Sequence, residues 1–275
     1  MGGGARVRAG SEAAGLDSVW MFDHFFHRRD DGTIQAMYES WTILSALAAV
    51  TDRITLGTLV MCGTFRNPGL LAKMAATLDE VSGGRLLLGI GAGWYDAEQE
   101  AFGSPTDHRG TRYAETLAIV RRLLDGERVT FDGRFHQLRD AVLTPAPTRR
   151  IPILVAGDGP RVLRLAARFA DAWNDNGFGR PDERLTGVLR SLDEAFEAEG
   201  RDPASIERTI GVTVRHPDVI VDPADEPVFQ GPPNEMAAMF QAYADLRIDH
   251  LILEVGPKTE ASVAWVAQAI ELYRR

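Results

Sequence analysis

The sequence predicts a parallel α/β fold, namely a (β/α)8 TIM barrel that lacks its first strand at the amino end. Short apolar segments alternate with longer amphipathic ones along the chain, which is typical of parallel β/α architecture. The length of 275 residues is the usual size of one such barrel. Residues 85–88 form an apolar run after a Gly-Gly turn, as in a strand buried on both faces.

Seven strands are predicted, and each is a short apolar or β-branched run that precedes a helical pattern. The predicted strands cover residues 17–22, 54–61, 85–88, 151–156, 171–175, 210–214 and 250–255. The predicted helices cover residues 5–15, 41–50, 69–81, 111–124, 161–169, 181–200, 234–246 and 259–273. An eighth strand would precede the helix at 5–15, so the first strand of the barrel is expected to be missing.

The chain is predicted to be a single domain over residues 1–275, because no linker or repeat interrupts the alternation. Asp132-Gly133 suits a tight turn and predicts a small hairpin near 128–138. A proline-rich segment near 216–233 predicts an irregular loop.

Composition excludes several classes of partner. The net charge of -9 with interspersed signs gives no basic face, so neither nucleic acid nor a membrane is expected as a partner. Cys62 is the single cysteine, which fits a reducing compartment. No long apolar run and no signal-peptide pattern is present, and a cytoplasmic protein acting on a small molecule is expected.

Candidate site residues stand where predicted strands end, because barrel enzymes build their sites there. His24 is either an ordinary loop histidine or a proton-transfer group oriented by its neighbour Asp23. The glycines at 89, 91 and 93 are expected to let the backbone approach a flat or charged ligand beside Trp94. A metal site that joins His24 to His27, Asp30 and Asp31 matches no standard spacing, and no metal is predicted.

Two further features have an ordinary interpretation beside the functional one. The turn Gly157-Asp158-Gly159-Pro160 before a helix suits a phosphate, or is a plain β-to-α turn; Asp158 would repel a phosphate and Arg161 would offset it. Cys62 is expected to be an apolar wall residue and not a nucleophile. Trp94 occupies the last glycine position of a dinucleotide fingerprint, which argues against a Rossmann dehydrogenase.

Several motifs together resemble the bacterial luciferase-like monooxygenase superfamily, in particular its branch of oxidoreductases that depend on coenzyme F420. The similar stretches are Ser18 to Phe25, Arg53 to Val60, Phe65 to Lys73, Ser82 to Tyr95 and Leu163 to Asn174. They occur in the family's order over residues 10–180, whereas the carboxyl third resembles the family only in its β/α rhythm.

The resemblance implies a barrel whose mouth holds an 8-hydroxy-5-deazaflavin and an enzyme that transfers a hydride between it and a small organic substrate. Asp23 and His24 are then the catalytic residues beside the reactive ring, with the histidine exchanging a proton. A backbone bulge at Leu59-Val60, often with a cis peptide, supports the ring. The implied cofactor-binding residues are Leu59, Val60, Cys62, Gly91, Gly93, Trp94, Ala156, Gly157 and Gly159.

Two alternatives remain open from the sequence. One is a two-component monooxygenase that uses FMN and a separate reductase, and the other is a cofactor-free or non-catalytic binding protein. Family members that oxidise a sugar phosphate have glutamate at the position of Trp94, which puts that substrate in doubt. A homodimer is expected by analogy only.

Overall fold

The computed structural model describes residues 15–29, 31–221 and 227–275. Its strands are β1 Ser18–Met21, β2 Phe26–Arg28, β3 Ile34–Ala36, β4 Thr55–Thr58, β5 Met61–Cys62, β6 Leu86–Gly91, β7 Val129–Asp132, β8 Gln137–Ala141, β9 Ile153–Ala156, β10 Ala172–Phe178, β11 Glu207–Arg215, β12 Val228–Phe229 and β13 His250–Gly256. Its helices are α1 Ser40–Ala48, α2 Pro68–Val81, α3 Asp96–Ala101, α4 Arg109–Leu124, α5 Pro160–Phe169, α6 Glu183–Ala198, α7 Pro233–Asp245 and α8 Glu260–Tyr273, with a 3-10 turn at Pro203–Ser205.

The described residues form two compact units. The amino-terminal unit comprises residues 20–156 and 168–170. The carboxy-terminal unit comprises the described residues of 15–19, 157–167 and 171–275. Each unit is α/β, and the prediction of one domain over the whole chain stays a prediction.

The predicted alternation of strands and helices is present. Each of the seven predicted strands is found, although the one predicted at 54–61 is broken into β4 and β5. The predicted helices from residue 41 onward are also found, whereas the helix predicted at 5–15 and the strand missing before it lie outside the described residues. The hairpin β2–β3 and helix α3 are additional elements, because no strand or helix was predicted in their segments.

Strand β6 is the centre of the sheet in the amino-terminal unit. It pairs in parallel with β4 (Leu56 beside Leu86), with β5 (Met61 beside Ile90) and with β9. All six of its residues are buried. Because both faces of the strand are buried, its sequence is a continuous apolar run in which polar residues do not alternate with apolar ones.

The hairpin predicted near 128–138 is confirmed as the antiparallel pair β7–β8, with Phe131 opposite Leu138. The carboxylate of Glu115 in α4 accepts hydrogen bonds from the backbone N–H groups of residues 134, 135 and 136, at 2.7, 3.0 and 2.9 Å. One side chain therefore satisfies three backbone donors of the turn and ties the hairpin to the helix.

The carboxy-terminal unit is built on β11. This strand pairs in parallel with β10, β12 and β13, with Thr209 beside His250. Strand β12 lies within the segment near 216–233 that was predicted to be irregular, of which residues 222–226 lie outside the description.

Among the described residues, no helix combines the length and the apolar character needed to cross a bilayer.

Candidate functional site

The loop after β1 presents Asp23 and His24, and their side chains have different surroundings. Asp23 is only 3% exposed and lies in a network of donors. Its carboxylate accepts from Ser40 Oγ at 2.9 Å and from the backbone N–H of Cys62 at 2.9 Å. Both terminal nitrogens of Arg66 donate to it, at 2.7 and 3.1 Å. Asp23 therefore connects the end of β1 to the strand after the break between β4 and β5.

The carboxylate that contacts His24 belongs to Glu98 in helix α3. Oε2 of Glu98 lies 2.8 Å from Nδ1 of His24. Oε1 of Glu98 accepts from the backbone N–H groups of Phe25 and Phe26, the latter at 3.0 Å. The expectation that Asp23 orients the imidazole was wrong, because Asp23 directs its oxygens to Ser40, Cys62 and Arg66. Asp23 had been selected as the partner of His24 because the two residues are adjacent in sequence, but adjacency does not determine where two side chains point.

The imidazole of His24 is held on one side and open on the other. Its side chain is 23% exposed, whereas that of Glu98 is 1% exposed. Within the described residues, Nε2 of His24 has no hydrogen-bond partner. The ring also makes a T-shaped contact with that of Trp94, with 5.7 Å between centroids and an interplanar angle of 72°. A histidine fixed through one nitrogen and free at the other can exchange a proton with a bound molecule.

An aromatic cluster surrounds this histidine. The indole of Trp94 is 63% exposed and lies near His27 and Tyr95, with centroid distances of 6.3 and 5.3 Å. The cluster continues through ring contacts among Phe25, Phe26, Phe65, Tyr95 and Phe102. The exposed indole beside the imidazole offers a flat apolar surface on which a planar molecule can stack.

The break between β4 and β5 contains a cis peptide bond between Leu59 and Val60, where the resemblance placed a bulge. The glycines of β6 make room for it. A Cβ atom on Gly89 would lie 1.9 Å from the carbonyl oxygen of Thr58, and one on Gly91 would lie 2.5 Å from Cγ2 of Val60. The sequence attributed these glycines to the approach of a ligand, but the approaching atoms belong to Thr58 at the end of β4 and to Val60 in the break after it.

Gly93 is required for a similar reason. It has a φ of +78°, and a Cβ atom there would lie 2.7 Å from Sγ of Cys62 and 2.9 Å from Nε2 of Gln99. Thr64 donates its hydroxyl to Oε1 of Gln99 at 3.1 Å and lies 3.2 Å from Sγ of Cys62. Burial, aided by the charge of Asp23, raises the pKa of Cys62, so the thiol is kept neutral. This environment agrees with a wall residue and not with a nucleophile.

The turn predicted to bind phosphate begins at Ala156, the last residue of β9, and continues in the carboxy-terminal unit. Gly157 has a φ of +121°, and its N–H donates to the carbonyl oxygen of Asn174 at 2.9 Å. Its carbonyl oxygen accepts from Nε1 of Trp173 at 2.9 Å. The N–H of Gly157 is thus bonded within the protein. In the first turn of α5, Pro160 has no N–H, and the N–H groups of Val162 and Leu163 donate to the carbonyl oxygen of Gly159 at 2.8 and 3.0 Å, which leaves the N–H groups of Asp158 and Gly159 to face an anion.

Carboxylates lie close to this turn in the same unit. Burial raises the pKa of Asp175, although the N–H of Asn176 and the charge of Arg184 oppose the shift; the charge of Asp158 adds to it. Nη1 of Arg184 lies 3.3 Å from Oδ2 of Asp175. The acidic surroundings weaken the turn as a phosphate site unless a cation accompanies the anion.

Within residues 15–29, 31–221 and 227–275, no group of three or more His, Cys, Asp or Glu residues has an arrangement that could hold a metal ion. Asp30, one member of the metal set considered from the sequence, lies outside these residues.

Sequence reasoning missed Glu98 and Gln99, which are both 1% exposed. Helix α3 has the sequence Asp-Ala-Glu-Gln-Glu-Ala, so its buried face is polar. Hydrophobic periodicity, the main signal for a short amphipathic helix, is therefore absent. The sequence feature that could still have predicted a helix at residues 96–101 is the absence of proline and glycine from this segment.

The fold and this site define the class of protein. The chain matches the family model described as luciferase-like monooxygenase over residues 5–226, and it belongs to that family. The prediction made from its motifs is confirmed.

Particular relatives carry more specific names. A protein of Kineococcus radiotolerans named F420-dependent glucose-6-phosphate dehydrogenase is 33% identical over 88% of this chain and 83% of its own length. A protein of the same name from Microbacterium testaceum is 33% identical over 76% of this chain, but the match spans only 62% of that relative.

The fold is also that of a solved structure. An F420-dependent secondary alcohol dehydrogenase in complex with an F420-acetone adduct superposes with a TM-score of 0.84. The superposition covers 98% of this chain and 94% of the other, at 21% sequence identity. The α/β fold assigned from the sequence is therefore supported along nearly the whole chain.

Proposed function

We propose that this protein is an oxidoreductase that uses coenzyme F420 and transfers a hydride between this deazaflavin and a small organic substrate. The names of the Kineococcus relative and of the structural neighbour support the cofactor. The observation that carries the proposal in this chain is the geometry of His24, whose ring is anchored at Nδ1, open at Nε2 and placed beside an exposed tryptophan.

The residues of the amino-terminal unit fit a deazaflavin ring. Such a ring is flat and largely apolar. Trp94 supplies exposed apolar surface beside His24, and Val60 and Gly93 are partly exposed. When bound, F420 supplies hydride chemistry at one ring carbon with little reactivity toward oxygen. The protein must then bring the substrate to that carbon, keep water away and handle one proton.

His24 handles the proton in this scheme. Oxidation of an alcohol to a carbonyl releases a hydride from carbon and a proton from oxygen. Nε2 of His24 accepts the proton, and in the reverse direction the imidazolium donates it to the carbonyl oxygen. Asp23 contributes through position, because its bonds to Cys62 and Arg66 fix the loop that carries His24.

Ala156, Gly157 and Gly159 keep their predicted role as a phosphate-binding turn as a proposal, which rests on the local chemistry of a glycine-containing turn before a helix. The N–H of Gly157 is excluded from this role by its bond to Asn174. Leu59, Val60, Cys62, Gly91 and Gly93 are proposed to form the wall behind the ring.

Titration of the tryptophan fluorescence with each cofactor tests the proposal. F420 is expected to quench it with micromolar affinity, and FMN is not. The matched variant His24→Ala is expected to bind F420 as the natural chain does, because the imidazole handles a proton and does not hold the ring. Binding of FMN alone would instead identify a two-component monooxygenase fed by a reductase, and binding of neither would identify a cofactor-free binding protein.

Three finer statements stay proposals. Closure of a full (β/α)8 barrel stays the prediction made from the sequence. The homodimer and the cytoplasmic location rest on the sequence alone. Sedimentation of the purified chain, with and without F420, would test the homodimer.

A further inference from the structure

Helix α3 places a buried carboxylate behind the imidazole that the proposed function uses. We infer that Glu98 is a positioning residue that holds the proton of His24 on Nδ1 and so presents Nε2 to the substrate as a proton acceptor. The catalytic consequence rests on the proposed function, whereas the effect on the imidazole does not.

Hydrogen bonds fix the orientation of the Glu98 carboxylate. Among the described residues, its two carboxylate oxygens have three hydrogen-bond partners, namely Nδ1 of His24 and the backbone N–H groups of Phe25 and Phe26. The two backbone groups can only donate, so they hold Oε1 in place. Oε2 then remains 2.8 Å from Nδ1, and the side chain is 1% exposed. Water therefore cannot replace the contact at low cost.

The chemistry of a neutral imidazole then selects one tautomer. One ring nitrogen carries the proton and the other carries a lone pair. A carboxylate at Nδ1 accepts a hydrogen bond, so the proton is stabilised there and the lone pair lies on Nε2. Since Nε2 has no partner within the described residues, it is the atom available to a bound substrate.

A purely structural role for Glu98 is the competing explanation, because its bonds to Phe25 and Phe26 also fix the loop after β1. The substitution Glu98→Gln separates the two roles. A glutamine keeps one oxygen for the backbone N–H groups, but it turns an N–H₂ donor toward Nδ1. The imidazole must then carry its proton on Nε2, so the loop is kept while the tautomer is reversed.

Nitrogen–proton correlation spectra of the histidine rings test the tautomer directly on the cofactor-free protein. The His24 signal is identified by its loss in His24→Ala. We expect the proton on Nδ1 in the natural chain and on Nε2 in Glu98→Gln. A proton on Nε2 in the natural chain would overturn the inference, and this spectrum is decisive even if Glu98→Gln does not fold.

Kinetics supply the second test. Glu98→Gln is expected to lower kcat by about 10²-fold, the range for loss of general acid–base catalysis, while the Kd for F420 stays within about twofold. In the His24→Ala background the same substitution is expected to have no further effect, because both act through one group. A loss that adds to that of His24→Ala would show a structural role and overturn the inference.

Glu100→Gln is the matched control, because Glu100 is an exposed residue of the same short helix. Its activity and histidine spectrum are expected to equal those of the natural chain. If the protein bound no F420 at all, the proposed function would fail, yet the tautomer assignment would still stand or fall on the spectra.

Discussion

Arg66 closes on Asp23 through two hydrogen bonds, at 2.7 and 3.1 Å, and the two side chains are 11% and 1% exposed. Such paired geometry satisfies a carboxylate that would be costly to bury alone. The same guanidinium reaches Glu39 at 2.7 Å, which caps helix α1. One arginine thus connects the end of β1 to the beginning of the next helix.

Arg66→Ala is expected to lower the free energy of unfolding by about 3 to 5 kcal/mol, because it leaves the Asp23 carboxylate buried without its cation. Urea unfolding followed by circular dichroism measures the change. The matched control is Arg128→Ala, which removes the ion pair with Asp140 between side chains that are 64% and 71% exposed. An equal loss in both variants would contradict the interpretation.

Gly89→Ala is expected to destabilise the protein by about 1 to 3 kcal/mol through overpacking, since the added Cβ would meet the Thr58 carbonyl oxygen. It should also weaken F420 binding, because the bulge at Leu59-Val60 must move. Gly187→Ala in helix α6 is the control: no atom lies within 4 Å of its Cβ position. That change is expected to stabilise the protein by about 0.5 to 1 kcal/mol.

His24→Ala is expected to lower kcat by about 10² to 10⁴-fold while the Kd for F420 changes little, because proton transfer is lost and the ring surface is kept. Stopped-flow measurement of F420 reduction gives both values. His108→Ala, an exposed histidine at the start of α4, serves as the control. Full turnover by His24→Ala would remove the assigned role.

The stability of the carboxy-terminal unit should depend on the protonation of His250. Burial lowers the pKa of His250 from its ordinary value, although the charge of Asp17 opposes the shift, and Nε2 of His250 lies 2.7 Å from Ser18 Oγ. The unfolded chain therefore binds this proton first on acidification. The stabilisation is complete above the unfolded pKa near 6.5 and is lost as pH falls toward the folded value.

His250→Gln removes this titration. Between about pH 7.5 and pH 5.5, the free energy of unfolding of the natural chain is expected to fall more steeply than that of the variant. Denaturant unfolding at several pH values measures the difference. Two parallel curves would mean that His250 titrates alike in the folded and unfolded chains.

The alternation of strands and helices could be predicted from the sequence because parallel strands buried on both faces leave an apolar signal. The strand containing Leu86 is an example. The break after Thr58 could not be predicted from periodicity, because residues 54–61 are apolar on both sides of it. Its place at Leu59-Val60 came from resemblance to a family.

The candidate site was predicted in part. His24 and Trp94 were selected by their place after strands, and the structure brings their rings to 5.7 Å. Glu98 was not selected, since a buried acid in a short polar helix looks like a solvated one in the sequence. The packing reason for Gly89 was also hidden, because it depends on which atoms of the neighbouring strand come close.

The contacts of helix α3 also limit which insertions and deletions residues 93–99 can tolerate. Glu98 and Gln99 are consecutive, yet Glu98 binds the loop of His24 and Gln99 binds Thr64. Deleting one residue between Gly93 and Glu98 would turn the helix by about 100° and break both attachments at once. Insertions or deletions intended to alter substrate choice should therefore be made outside residues 93–99.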